Sequence, residues 1–240
     1  MNKKAKMLAG VAVVAVLGAV GWQAVEGLTI REPEVVAVES IEEPMLLAQA
    51  GLGTPVVMPA LQVQETDRVL GDPNAPVTLI EYASMTCSHC GNFHNNFLPD
   101  IEKAYISTGK VKLVMRDLPW DNMALGISKV ARCVPKDQFY MLVKAFFRSQ
   151  DSWLKSMDPL GEIKKIARFA GMDGATVDRC VKDADLHEEV LASKTMATDV
   201  LNVKGTPTFF INGERVQGLR NFGDLTDALD AALMQAQQRG

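Results

Sequence analysis

The chain has few of the residues from which metal centres and nucleic-acid faces are built. Its 240 residues include only four cysteines and three histidines, and its 25 lysines and arginines fall short of its 29 aspartates and glutamates. The net charge of −4 is mixed along the sequence, so no basic nucleic-acid surface and no nucleic-acid partner are expected. A single close Cys-x-x-Cys has no second one to match it, and no histidine pair follows it at the distance and spacing of a finger, which argues against zinc ribbons and zinc fingers. There is no internal repeat and no metal-rich or prion-like tract. The length suffices for one ordinary core with accessory parts.

The N-terminus reads as a targeting segment. Lys3, Lys4 and Lys6 precede an uncharged stretch from Met7 to Val25, a basic region followed by an apolar one, so export is expected. Ala19-Val20-Gly21 offers a small-x-small cleavage site. The same stretch is nearly long enough to remain as an inner-membrane anchor with the lysines inside, so a periplasmic location follows with the chain either soluble or tethered. Residues 1–25 are therefore assigned to a signal peptide or anchor. Residues 26–65 read as a flexible tether: prolines recur at 33, 44, 55 and 59, and Glu26, Glu32, Glu34, Glu39, Glu42 and Glu43 charge its first half.

The folded part is expected over 66–240. Turn formers at 71–76 lead into an apolar strand, Val77–Tyr82. Phe93, Phe97, Leu98, Ile101, Ala104 and Tyr105 then follow helical spacing, with Pro99 placed to kink that helix and Gly109 to stop it. Val111, Leu113 and Met115 alternate with Lys112 and Arg116, a second strand with the two cations on its other face. Residues 121–203 read as helical, with Asp173 and Asp185 as candidate N-caps. Strands return at Thr208–Ile211 and Glu214–Gln217 around an Asn212-Gly213 hairpin turn, and a last helix follows. A small mixed sheet interrupted by a helical block emerges, an α/β fold.

Chemistry concentrates in Cys87-Ser88-His89-Cys90, between the first strand and the first helix. Cys87, at a helix N-terminus where orphan N–H groups favour thiolate, is the candidate nucleophile; Cys90, inside the first turn, is the candidate resolving thiol. His89 either couples to Cys87 or is an exposed helix residue. Glu81 shares an alternation face with Val77 and Leu79, where a carboxylate is costly. It either relays the proton that Cys90 must lose or sits at a wet strand end. Thr206-Pro207 is a candidate cis bond whose backbone would receive an extended peptide; the other reading is a trans proline opening an edge strand. Cys133 and Cys180 are expected to pair as a structural disulfide, worth about 4 kcal/mol for a loop of that length. The alternatives are buried free thiols, or metal ligands together with Cys87 and Cys90. His94 and His187 read as surface or structural residues.

The run Gly71-Asp72-Pro73-Asn74-Ala75-Pro76-Val77, the Cys87–Cys90 motif and Gly205-Thr206-Pro207-Thr208-Phe209-Phe210-Ile211-Asn212-Gly213 resemble the DsbA-like branch of the thioredoxin superfamily over about residues 66–238. The resemblance implies a thioredoxin fold with an inserted helical domain (about 118–204), and thiol:disulfide exchange with exported cysteine-containing polypeptides. It also implies that Cys87 attacks, that the Thr206-Pro207 loop faces it, and that Glu81 lies beneath. Two departures stand out: DsbA itself has Pro where this chain has Ser88, and Val where it has Thr206, a residue shared with disulfide isomerases and reductases. The leading expectation is an oxidase reoxidised by a membrane redox partner. The alternatives are an isomerase or reductase kept reduced by a membrane donor, and a redox-inactive holdase or metal-binding module. No cofactor and no metal are expected, because the thiols carry the electrons.

Overall fold

The computed structural model describes residues 58–217 and 221–239. The expected signal or anchor stretch and the expected tether through residue 57 lie outside the described residues. No helix among the described residues is long and apolar enough to cross a membrane.

Five strands form one mixed sheet: β1 (Val69–Leu70), β2 (Val77–Ala83), β3 (Val111–Asp117), β4 (Thr208–Ile211) and β5 (Glu214–Arg215), in the order β1-β3-β2-β4-β5. Only the β2–β3 pair is parallel, which is why a helical connection must join those two strands. Strand β2 is central and buried on both faces. Val77, Leu79 and Ala83 face a core shared with Phe93, Phe146, Phe147 and Leu229, while Ile80 and Tyr82 face a smaller cluster with Val114, Leu201, Val203 and Phe210. Asn212 (φ 48°) and Gly213 (φ 88°) turn β4 into β5 with both residues left-handed, as a primed hairpin turn requires. Strand β5 stops at Arg215, two residues short of the expected end.

Residues 88–106 are continuously helical. The α-turns α1 (Ser88–Asn92) and α2 (Leu98–Ile101) alternate with π-turns at Phe93–Phe97 and Glu102–Ile106. Pro99 lacks an N–H and its ring crowds the carbonyl one turn back; the wider π-turn just before it absorbs both demands. Between β3 and β4 lie the inserted helices α3 (Asn122–Arg132), α4 (Phe139–Arg148), α5 (Gln150–Leu154), α6 (Pro159–Ala167), α7 (Gly174–Lys182) and α8 (Ala184–Thr195). Helix α9 (Gly223–Arg239) closes the chain. This is a thioredoxin fold with a helical domain inserted between its two halves. Cys133, at the C-cap of α3, is disulfide-bonded to Cys180 of α7, with Cα atoms 5.9 Å apart.

Two expectations need correction. Asp173 caps α7, but Asp183 rather than Asp185 caps α8: the chain is still extended at 183, and that carboxylate accepts the Leu186 N–H at 2.9 Å. Residues 58–65, expected in the tether, instead form a 3₁₀ turn (Pro59–Leu61) that buries Leu61 and lies on the sheet. The reason is Arg116, on the face of β3 opposite Val111, Leu113 and Met115. It is only 5% exposed and spends its donors on both oxygens of Asp67 (3.0 and 2.8 Å) and on the carbonyls of Ala60 and Gln62. A bidentate guanidinium–carboxylate pair plus two main-chain acceptors holds an otherwise loop-like segment. Arg116→Ala leaves Asp67 buried and unpaired, so urea denaturation of this variant should show a loss of about 3–5 kcal/mol.

Candidate active site

Strand β2 ends at Ala83, and the loop 84–86 delivers Cys87 as the N-cap residue of α1. Cys87 is half-buried, whereas Cys90 has no exposed surface; both are free thiols. The loop between them and β2 is clamped from the inserted domain. Gln150, at the start of α5 and almost wholly buried, donates to the carbonyls of Met85 (2.8 Å) and Cys87 (3.0 Å). Its amide fills the space where a side chain at residue 91 would stand: a Cβ on Gly91 would meet Gln150 Oε1 at 2.3 Å. The residue after the motif is glycine for that reason.

The Thr206–Pro207 peptide bond is cis, and the Thr206 carbonyl oxygen accepts from the Cys87 thiol at 3.2 Å. Trp120, 45% exposed, donates its indole N–H to Thr206 Oγ1 at 3.2 Å. The next residue, Asp121, caps α3 by accepting the Ala124 N–H (2.7 Å) and takes the Thr86 hydroxyl at 2.7 Å. Cys87 thus lies in a ring formed by its own loop, the cis-proline loop and the β3–α3 connection.

The two sulfurs titrate in opposite directions. The Cys90 thiol donating to Cys87, the Thr206 side chain and the backbone N–H groups of Cys90 and His89 together outweigh burial and bring Cys87 down to about 5. Burial, the neighbouring Cys87 sulfur and the negative charge of Glu81 hold Cys90 well above the ordinary thiol range. His89 is exposed, and its backbone N–H is among the groups that lower Cys87.

Glu81 is not at a wet strand end. Its side chain has no exposed surface, and its Oε2 lies 2.9 Å from His94 Nε2, which is equally buried. His94 is therefore not a surface residue. It stands one helical turn beyond Cys90, on the same face, and its ring stacks on Phe147 with centroids 4.3 Å apart. His187 lies in α8. Sequence reasoning passed over Gln150 and Trp120. Both act through packing across the insertion boundary, which no local pattern announces, although a glycine inside α1 hinted at a close neighbour.

Because Cys87 is the depressed thiol, its thiolate persists at neutral pH and is lost as pH falls through about 5. The rate of alkylation of the reduced protein should rise with a midpoint near 5, and Cys90 should remain unmodified throughout the neutral range.

A thioredoxin family model matches residues 63–231. A Rickettsia bellii protein, provisionally named a protein-disulfide oxidoreductase, is 27% identical over 179 residues, covering 74% of this chain and 69% of its own length. The crystal structure of Wolbachia pipientis α-DsbA1 superposes with a TM-score of 0.69 at 30% identity, covering 75% of this chain and 96% of that one. A structure titled protein-disulfide isomerase, from Novosphingobium aromaticivorans, gives 0.62 at 28% identity, covering 70% and 97%. Fold, dithiol geometry and relatives agree, and the chain belongs to the thioredoxin family, as a DsbA-like thiol–disulfide oxidoreductase.

Proposed function

We propose that this oxidoreductase is an exported oxidase that donates its Cys87–Cys90 disulfide to cysteine-containing polypeptides in the periplasm. The observation that carries the reading is the set of donors around Cys87: the Cys90 S–H and two backbone N–H groups stabilise the thiolate. A stabilised thiolate belongs to the reduced form, so the disulfide is the less favoured state and passes readily to a substrate. A substrate thiolate attacks Cys87 Sγ, the Cys87–Cys90 bond breaks, and Cys90 leaves with the electron pair and takes up a proton. The substrate's second thiolate then attacks the mixed disulfide, and Cys87 leaves as the thiolate already stabilised in place. The Thr206 carbonyl flanks this sulfur, where an extended peptide would lie. Export rests on Lys3, Lys4, Lys6 and the uncharged stretch 7–25, and sustained turnover calls for a membrane partner that reoxidises the pair.

An isomerase reading draws support from Thr206 before the cis-proline and from the likeness to the isomerase-titled structure. The test is oxidised chain mixed with a reduced two-cysteine polypeptide, and reduced chain mixed with a scrambled multi-disulfide one. The oxidase reading predicts one substrate disulfide formed per chain, no unscrambling, and no transfer with Cys87→Ser. Unscrambling without net oxidation would make the isomerase the correct reading.

A further inference from the structure

The Thr206 carbonyl serves Cys87 only while the sulfur carries a proton. It accepts the thiol at 3.2 Å. Once the proton leaves, a carbonyl oxygen and a sulfur anion face each other with no hydrogen between them. The contact that suits the thiol then opposes the thiolate, unless another part of Thr206 supplies a donor. Its side chain holds one, the hydroxyl hydrogen. A hydroxyl has one hydrogen and two lone pairs, and its neighbours decide where the hydrogen points. Trp120 is a neighbour that only donates: its indole N–H reaches Thr206 Oγ1 at 3.2 Å. That bond fills one lone pair and turns the hydroxyl hydrogen away from the indole.

We infer that Trp120 is a positioning residue for the exchange reaction: it holds Thr206 at Cys87 with the hydroxyl hydrogen free, so that the thiolate gains a donor where the thiol had the carbonyl. The inference rests on the oxidase reading, which a stabilised Cys87 thiolate carries. The segment bearing Trp120 is itself fixed at the sulfur. Asp121 accepts the hydroxyl of Thr86, the residue before Cys87, at 2.7 Å. It also accepts the Ala124 N–H at 2.7 Å, which anchors it to α3. Two consecutive residues of the β3–α3 connection therefore reach the two threonines that flank Cys87, one as donor and one as acceptor. On the far side, the Thr208 hydroxyl donates to the Gly205 carbonyl at 2.8 Å and closes the turn that carries Thr206.

Trp120 is 45% exposed, so covering the core does not account for an indole there. Phenylalanine would shield the same ground but has no N–H to give. An N–H donated to a hydroxyl also polarises it and makes its own hydrogen a better donor. The Thr206 side chain is among the groups that lower Cys87. The other ionisable groups about this contact are Cys90, whose thiol donates to Cys87, Asp121, committed to Thr86 and Ala124, and the exposed His89 and Lys204.

The test follows alkylation of Cys87 against pH in the reduced full chain, native and variant. Trp120→Phe keeps an aromatic ring and loses the donor. Its midpoint should rise by about half a pH unit, which is about a threefold loss of thiolate below the midpoint. Thr206→Val keeps the carbonyl and loses the hydroxyl, and should raise the midpoint by about one pH unit. Adding Trp120→Phe to Thr206→Val should change nothing further, because the hydroxyl through which the indole acts is gone. Thr206→Ser restores a hydroxyl and should restore the response to Trp120→Phe. An indole that acts only by packing would shift the midpoint equally in all three backgrounds. An unmoved midpoint in Trp120→Phe, or a shift that persists undiminished beside Thr206→Val, overturns the inference. A native midpoint in the ordinary thiol range would instead defeat the oxidase reading itself, whatever Trp120→Phe does.

Discussion

The S–H of Cys90 donates to the sulfur of Cys87, and this contact separates two thiols that stand three positions apart. One sulfur sits at a helix start among donors; the other is buried over a carboxylate. The same residue type is thereby made a good leaving group at one position and a reluctant acid at the other. Dithiol exchange depends on that asymmetry, because a mixed disulfide must form at Cys87 and be resolved from Cys90.

The rest of the molecule holds this asymmetry in place. Strand β2 sets Glu81 under the motif and is buried on both faces, so the carboxylate stays dry. The inserted domain does more than cover the sheet. Gln150 fixes the carbonyls of Met85 and Cys87, Trp120 borders the cis-proline loop, Asp121 accepts the Thr86 hydroxyl, and the Cys133–Cys180 bond ties α3 to α7 within that domain. On the opposite edge, Arg116 fastens residues 60–67 to β3, extending the ordered domain beyond the region the strands alone demand.

Much of this was legible in the chain itself. The period-two runs, the Asn212-Gly213 turn and the Cys-x-x-Cys before a helical stretch are local signals with few competing explanations. Glu81 was visible as a carboxylate on an apolar face, although alternation alone did not say whether that face was dry. His94 was harder: its spacing of four from Cys90 places it on the same helix face, but only the packing of Phe147 shows that this face is buried. Of the two readings of His89, the structure shows the residue exposed on the helix. The segment that Arg116 holds was misread because prolines and charge in 26–65 suggest chain without structure, and a buried guanidinium satisfied by main-chain carbonyls has no periodic signature.

The central claim is that stabilisation of the Cys87 thiolate makes the Cys87–Cys90 disulfide an oxidant. The glutathione redox equilibrium of the full chain tests it most directly. The account predicts a potential near −120 mV, the oxidising end of the range for such dithiols. A value near −270 mV, where thioredoxin-type reductants lie, would contradict it.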